Sequence, residues 1–285
     1  MGDVSVRNRG LKKAWNHVWV HALVWLFVLF SVFPILQIVG ISLRPGDQLY
    51  STSLQLIPEN ATLDAYRIMF TEKPFFLWLR NSLIVSLGTA LIGVALASLG
   101  GFALSRYRFR ARGAALQGIL LTQMFPATML LLPLYLLMRK LHLVDTLMGV
   151  MIAYVATALP FCIWTMKGYY DTIPVALNEA ALIDGCSPLQ AFVRVTLPLS
   201  APALVITGLF SFMTDWSEFM VARVMLASKE LMTLPLGLES LFTTYQTEWA
   251  NYAAGSLLVC VPVVLLFLVL NRYLVSGLTL GSVKG

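Results

Sequence analysis

The stretch EAALIDGCSPLQAFVRVTLPLSAP, Glu179–Pro202, is polar and heavily punctuated, and apolar runs flank it on both sides. Helix formers lead into Asp184-Gly185, Ser187-Pro188 restarts the chain, and Leu197-Pro198 and Pro202 close the segment. Pro174 stands where a first helix begins, because a first-turn proline gives up no bond the helix needs. Val175 to Asp184 reads as a short helix of good formers, and Gly185 supplies the positive φ that ends it. Ser187 caps a second helix with Pro188 at its first position, and Gln190, three residues on, completes a capping box. That helix is expected to run to about Val195, with Leu197-Pro198 breaking it and Pro202 opening the next apolar run.

The surroundings decide what this segment is set in. Of the 285 residues, 58% are hydrophobic and 12% charged, against about 25% charged in a soluble domain. One soluble core cannot hide so much apolar surface, and the mean hydropathy of +0.78 agrees. The composition therefore predicts an all-α, polytopic membrane protein. Six stretches reach the roughly 20 apolar residues that a spanning helix needs: 18–43, 76–104, 114–138, 147–170, 201–225 and 253–275. The first is too long for a signal-peptide core and lacks a small-residue cleavage site, so it is expected to stay as an uncleaved span. The segment 171–200 then forms a cytoplasmic helix-turn-helix between spans four and five. Residues 1–17 and 276–285 form cytoplasmic ends.

The net charge of +6 is placed like a topology signal and not like a nucleic-acid surface. Arg7, Arg9, Lys12 and Lys13 precede the first span, and Arg106, Arg108, Arg110 and Arg112 alternate in a short loop. Retention of cations inside puts both segments on the cytoplasmic face, and both termini with them. Residues 44–75 and 226–252 then lie outside. Gly93, Ala97 and Gly101 recur every four residues on the second span, a small face that lets another helix approach closely, within this chain or from a partner.

Several side chains carry alternative readings. Asp215 and Glu218 fall near the outer end of span five, with Trp216 between them. Charged groups in a span are costly, so these face water or the bundle interior, where they line a pathway, or sit in an interfacial belt. His17 and His21 have ligand spacing on a helix, but no carboxylate or cysteine completes a metal site. They lie beside Trp15 and Trp19, as interfacial residues do. Lys167 can extend its amine to the interface. Cys162, Cys186 and Cys260 form no CxxC pair. No HExxH and no GxSxG occurs, which argues against an integral-membrane enzyme. A channel or a secondary transporter is disfavoured by the doubly capped inner segment. From physics alone, that segment serves a docking knob and a loop lying on the bilayer equally well.

The same residues resemble the EAA motif of bacterial ABC-importer permeases, the inner-membrane components of binding-protein-dependent transport. Glu179-Ala180-Ala181, Asp184-Gly185 and Leu197-Pro198 supply its pattern, and Gly185 stands 100 residues from the C-terminus (285 − 185). WTMKGYYDTIP (Trp164–Pro174), TQMFPA (Thr122–Ala127) and GLTLGSVKG (Gly277–Gly285) are similar to the carbohydrate branch, most of all to its maltose-type, MalG-like subunit. DWSEF departs from that branch's Trp-Asn-Glu-Phe at Ser217.

The resemblance implies half of a sugar pore, working with a companion permease, a dimer of ATPase subunits and an extracytoplasmic sugar-binding protein. No GxxxxGK[ST] is present, so ATP and Mg belong to the ATPase partner and this chain carries no cofactor of its own. By the same resemblance Glu179, Ala180, Ala181, Asp184, Gly185, Leu197 and Pro198 couple to the ATPase. Gly277, Gly281, Lys284 and Gly285 contact it through the tail, and 226–252 meets the binding protein. Maltose or maltodextrin is the first-choice substrate, with trehalose or another glycoside as the alternative.

Overall fold

A computed structural model describes residues 3–46, 57–242 and 247–280. The helices are α1 Asp3–Ser42, α2 Asp64–Thr71, α3 Phe75–Arg106, α4 Arg112–Met124, α5 Ala127–Lys140, α6 Leu147–Tyr170, α7 Val175–Ile183, α8 Pro188–Ala191, α9 Leu197–Leu199, α10 Ala201–Trp216, α11 Met220–Met225, α12 Leu234–Glu239 and α13 Trp249–Leu280. A π turn covers Phe192–Thr196 and a 3-10 turn Lys229–Leu231. The described residues contain no strand beyond an isolated bridge from Phe242 to Thr247.

Four helical segments are long and apolar enough to cross a membrane unaided: Val18–Ser42, Phe75–Arg106, Leu147–Tyr170 and Trp249–Asn271. The other two apolar runs are bent. Arg112–Met124 meets Thr128–Lys140 at 108°, and Pro188–Leu199 meets Ala201–Trp216 at 77°. Counting each bent pair as one span gives six. The first bend has a local cause. Pro126 forbids a helical Phe125, which is extended at φ −80° and ψ 129°. The stretch 201–225 is divided as well, because α10 stops at Trp216 and Ser217–Phe219 intervene before α11. Glu218 gives its carboxylate to the amides of Val221 (2.9 Å) and Ala222 (3.3 Å), which starts a new helix there.

The chain divides into two compact units: Met1–Lys73 with Leu241–Leu258, and Pro74–Ser240 with Val259–Gly285. Within the first, Leu43 O accepts from the Thr62 amide at 2.9 Å, and the Ser42 and Tyr66 hydroxyls meet at 2.9 Å. Lys73 pairs with Glu248 at 2.7 Å. Val18–Phe30 of α1 is exposed on every face, as a helix apolar all round can be only in lipid or against another apolar surface.

The second unit is built on α3 packed along α6 and α10. Gly101 permits the α3–α6 approach: a Cβ there would lie 2.9 Å from the Lys167 amide nitrogen and 3.0 Å from Met166 Cβ. Ala97 is fully buried, and a Cβ on Gly93 would reach Ser211 of α10 at 3.9 Å. The small-residue face is thus used inside this chain. Val85, Val150, Ala153, Tyr154, Ala222 and Met225 form one core cluster near the start of α6. The segment after α11 is tied to the head of α3. Asn81 Nδ2 donates to Glu230 O (2.9 Å) and Met232 O (3.0 Å), and Ser82 Oγ accepts from the Leu234 amide at 2.7 Å.

The α5–α6 connection is held to the same end of the bundle by Asp145, which adopts φ +58°. Its carboxylate accepts from the Ser228 hydroxyl and from the amides of Ser228 and Ala227. These bonds, the hydroxyl's first, hold the Asp145 carboxyl below the ordinary aspartate range. Its stabilising effect is therefore complete at neutral pH, above the unfolded value of about 3.9, and is lost as pH falls through the depressed folded value. The protection of the Ala227 and Ser228 amides, relative to their intrinsic exchange at each pH, should stay high down to about pH 4 and fall only below it. In Asp145→Asn exchange should be faster and should lose that acid limb. Unchanged exchange in the variant would show that the carboxylate is not the staple.

Candidate functional site

The segment 171–200 folds as an elbow of two short helices. α7 ends as the sequence dictates. Gly185 takes φ +88°, its amide bonds Leu182 O at 3.1 Å and the Cys186 amide bonds Ala181 O at 3.0 Å. This is a Schellman closure, which spends two otherwise orphaned carbonyls. A Cβ on Gly185 would meet nothing within 4 Å, so the glycine is required by its φ alone. The Ser187–Gln190 capping box then forms in both directions: the Gln190 amide donates to Ser187 Oγ at 3.3 Å, and the Ser187 amide to Gln190 Oε1 at 2.8 Å.

The second helix does not break at Leu197-Pro198. It runs through the π turn into α9 and stops at Ser200. Pro198 lacks an N–H and its ring crowds the carbonyl four residues back, Arg194 O. The chain shifts the ladder by one residue instead, and the Leu197 amide bonds Phe192 O, five residues back. The bend moves to Ser200, ahead of Pro202. Pro198 is exposed and Leu197 half-buried.

Buried contacts fix the two arms to each other. Thr196 Oγ1 donates to Asn178 Oδ1 at 2.7 Å, and Ala181 and Ala191 are buried. Ala180 faces outward, so the Glu179-Ala180-Ala181 triplet is divided between a packed and an open side. The elbow is rooted on α3 and α6. Phe192, 4% exposed, lies 4.7 Å from Phe102 and 6.4 Å from Tyr170 between ring centroids. The Tyr170 and Ser98 hydroxyls meet at 2.8 Å. Arg106 Nη2 donates to Ile173 O at 2.8 Å, and Ser105 Oγ to Asp171 Oδ1 at 2.7 Å. Lys167 pairs with Asp171 at 2.6 Å. Partial burial pushes the Asp171 carboxyl up, but the bonds from Lys167 and Ser105 and the Lys167 charge outweigh it and hold the group below the usual range.

What the elbow presents outward is largely apolar with two acids. Glu179 and Asp184 are exposed. So are Val175, Leu177, Leu182, Leu189 and Ile183, the last at 86%. A clustered apolar surface of this kind marks an interaction site.

The residues of the fifth apolar run are differently placed. Asp215 is 5% exposed and accepts from Ser211 Oγ at 3.3 Å. Trp216 is 3% exposed, stacked on Phe212 at 5.2 Å, with its Nε1–H on Val259 O at 3.1 Å. Glu218 accepts from Tyr154 Oη at 2.7 Å and caps α11. Ser217 turns its hydroxyl onto Met213 O and Thr214 O. A cavity of about 530 Å³ lies instead beside the bend between α4 and α5, where Thr122, Gln123, Phe125, Thr157 and Pro160 contribute to its wall. Gly277 is on α13, whereas Gly281, Lys284 and Gly285 lie outside the described residues. Among the described residues no group of three or more His, Cys, Asp or Glu could hold a metal ion.

The root of the elbow was not legible as a site. Phe102, Tyr170 and Phe192 read as ordinary apolar positions, and only their aromatic character hinted at a shared nook. Asn178 and Thr196 did carry a signal, being polar residues on the faces that the two arms turn toward each other.

A membrane-spanning helical bundle with a rigid exposed elbow at one end is the build of a transport permease. The profile of the family described as "Binding-protein-dependent transport system inner membrane component" matches residues 90–279, and the chain belongs to that family. It is 35% identical over 262 residues to the inner membrane ABC transporter permease protein YcjP of Escherichia coli (strain K12), covering 91% of this chain and 94% of that one. It is 37% identical over 290 residues to the maltose/maltodextrin transport system permease protein MalG of Photorhabdus laumondii, covering 95% and 97%. With the diacetylchitobiose uptake system permease protein DasC of Streptomyces coelicolor it shares 33% identity over 274 residues, covering 96% and 99%. A crystal structure of a bacterial ABC transporter involved in the import of the acidic polysaccharide alginate superposes with a TM-score of 0.78 at 25% identity, covering 96% of this chain and 99% of that chain. The chain is accordingly an inner-membrane permease subunit, a transport component and not an enzyme.

Gly185→Ala should strain the elbow alone. The positive φ costs an alanine about 1 kcal/mol or more. Hydrogen exchange should quicken at the Gly185 and Cys186 amide positions while the unfolding temperature of the bundle moves little. A fall in that temperature with no local change at the turn would show that Gly185 is needed for packing instead.

Proposed function

We propose that the chain forms half of the translocation pathway of an ATP-driven importer of oligosaccharides and takes its driving force through the elbow 171–200. The observation that carries this reading is the elbow itself: two arms locked by caps and by the Asn178–Thr196 bond, rooted by Phe192 on α3 and α6, with Glu179 set in an exposed apolar face. A part so stiff transmits displacement, and a face so apolar is suited to being covered by another protein.

In this reading the cover is an ATPase dimer that holds ATP and Mg, and Glu179 pairs with a basic residue on it. Ala180 lets the surfaces approach, and the tail bearing Gly277, Gly281, Lys284 and Gly285 adds contacts. Closure of the ATPases pulls the elbow, and the helices rooted to it rock between inward- and outward-facing arrangements. Both termini and the Arg106–Arg112 loop lie on the cytoplasmic side. The far side, with 226–252, meets an extracytoplasmic binding protein that delivers the sugar, and a companion permease supplies the other half of the pore. A structure of similar fold supports the delivery step: a bacterial alginate ABC transporter in complex with an alginate pentasaccharide-bound periplasmic protein.

The pathway runs past the α4–α5 bend. Irregular backbone at membrane depth is tolerated only inside protein or beside water, and Thr122, Gln123 and Thr157 offer hydroxyl and amide groups there. Asp215, Trp216 and Glu218 fix the end of α10 through their buried bonds. The substrate is an oligosaccharide, with maltose or maltodextrin the first choice, because relatives named for maltodextrin and diacetylchitobiose match over nearly the whole chain.

Glu179→Lys should weaken capture of the ATPase by about 2–5 kcal/mol, the cost of breaking one charge pair at an interface. In practice the ATPase should no longer co-purify and labelled-sugar uptake should stop, while the permease itself still inserts and folds. Uptake by cells with and without the chain, over maltodextrins, trehalose and N-acetylated disaccharides, then fixes the sugar. Retained ATPase and retained uptake in Glu179→Lys would remove the elbow from the coupling role.

A further inference from the structure

The loop RYRFRAR, Arg106–Arg112, joins the end of the spanning helix α3 to the start of α4 in the broken span, so it lies at a membrane surface. Its cations are not equivalent. Arg106 is spent on Ile173 O. Arg108 and Arg110 are exposed and make no hydrogen bond or ion pair through their side chains with any described residue. The chain offers them no neutralising group. α4 has no acidic residue in its first turn and no capping side chain, and Asp171, the acid nearest the root of the loop, is taken by Lys167 and Ser105. Two aromatic residues alternate with the arginines, and both are exposed, Tyr107 at 47% and Phe109 at 46%. Tyr107 is held edge-on to Phe102 at 6.1 Å, so the loop is fixed to the same ring that receives Phe192.

Unpaired arginines interleaved with exposed rings at a bilayer surface match a ligand that is anionic at one end and apolar at the other. Guanidinium groups grip phosphate oxygens with two parallel bonds, and aromatic rings settle at headgroup depth. We propose that Tyr107–Arg110 binds the headgroup of an anionic phospholipid, with Arg108 and Arg110 on the phosphate and Tyr107 and Phe109 seated beside the glycerol and upper acyl chain. Free phosphate offers the same oxygens but nothing for the two rings. Because Ser105, Arg106 and Phe102 also root the elbow, the bound lipid stands at the base of the part that moves.

The test is lipid binding to the intact permease complex in detergent, followed by native mass spectrometry with phosphatidylglycerol, phosphatidylcholine and inorganic phosphate as separate probes. Arg108→Gln/Arg110→Gln should weaken phosphatidylglycerol binding about 30-fold, the worth of two cations at a membrane surface, and leave phosphatidylcholine binding as it was. Arg139→Gln, an exposed cation at the other end of the bundle, should change neither, and inorganic phosphate should not compete. Retention of phosphatidylglycerol by the double variant to within about twofold would overturn the proposal. So would an equal loss in Arg139→Gln, or full competition by free phosphate. If the double variant shed the ATPase while holding its lipid, the loop would be a protein contact and not a lipid site.

Discussion

Everything the elbow does depends on one buried ring. Phe192 leaves the second arm at the π turn and enters a nook made by Phe102 of α3 and Tyr170 of α6. Burying a phenylalanine contributes about 1.5–3 kcal/mol, and each well-set aromatic pair adds about 0.5–1.5 kcal/mol. That is comparable to the free energies that shift a conformational equilibrium, and it is concentrated at a single point. The polar contacts around it, Ser98 with Tyr170, Arg106 with Ile173 and Ser105 with Asp171, set direction more than strength. Without the ring, the elbow would be held to the bundle by those bonds, by the Tyr169 hydroxyl on Leu199 O at 3.3 Å and by the packing of Leu197.

The membrane imposes the second constraint. Backbone groups at bilayer depth need partners inside the protein, so every departure from a straight helix must be answered locally. Pro198 is answered by a π turn, Glu218 answers the gap between α10 and α11 with its own carboxylate, and the bend at Phe125-Pro126 opens beside a cavity with polar groups in its wall. The side chains that make these repairs are the polar residues that first stand out in so apolar a sequence. Asp215 and Glu218 are costly to insert in a span, and they are kept where Ser211 and Tyr154 can satisfy them.

Much of this could be read from the sequence, and what could not has physical causes. Local chemistry was legible: Gly185 ends α7 at positive φ, and Ser187 with Gln190 forms its box, because caps involve residues within four positions of each other. Pro198 does not break the second arm, since the ladder slips by one residue ahead of it. The bend at Pro126 passed as an ordinary proline in a span, as Pro34, Pro133, Pro160 and Pro262 indeed are. One sequence does not display which proline in a span bends its helix. For the same reason the root of the elbow was hidden, because Phe102, Tyr170 and Phe192 come from three separate elements.

The claim that all of this serves is that the elbow and the bundle move as one body. Cys186, half-buried at the tip, is a natural site for a spin label once Cys162 and Cys260 are replaced by alanine, and Leu91, exposed on α3, is a second after replacement by cysteine. Pulsed electron–electron resonance on the assembled transporter would give the distance between the two labels without nucleotide, with ATP bound and after hydrolysis. A rigid mount predicts one narrow distribution that is the same in all three states. A second population, or a shift of several ångströms on nucleotide binding, would put a hinge at the root of the elbow and contradict the account.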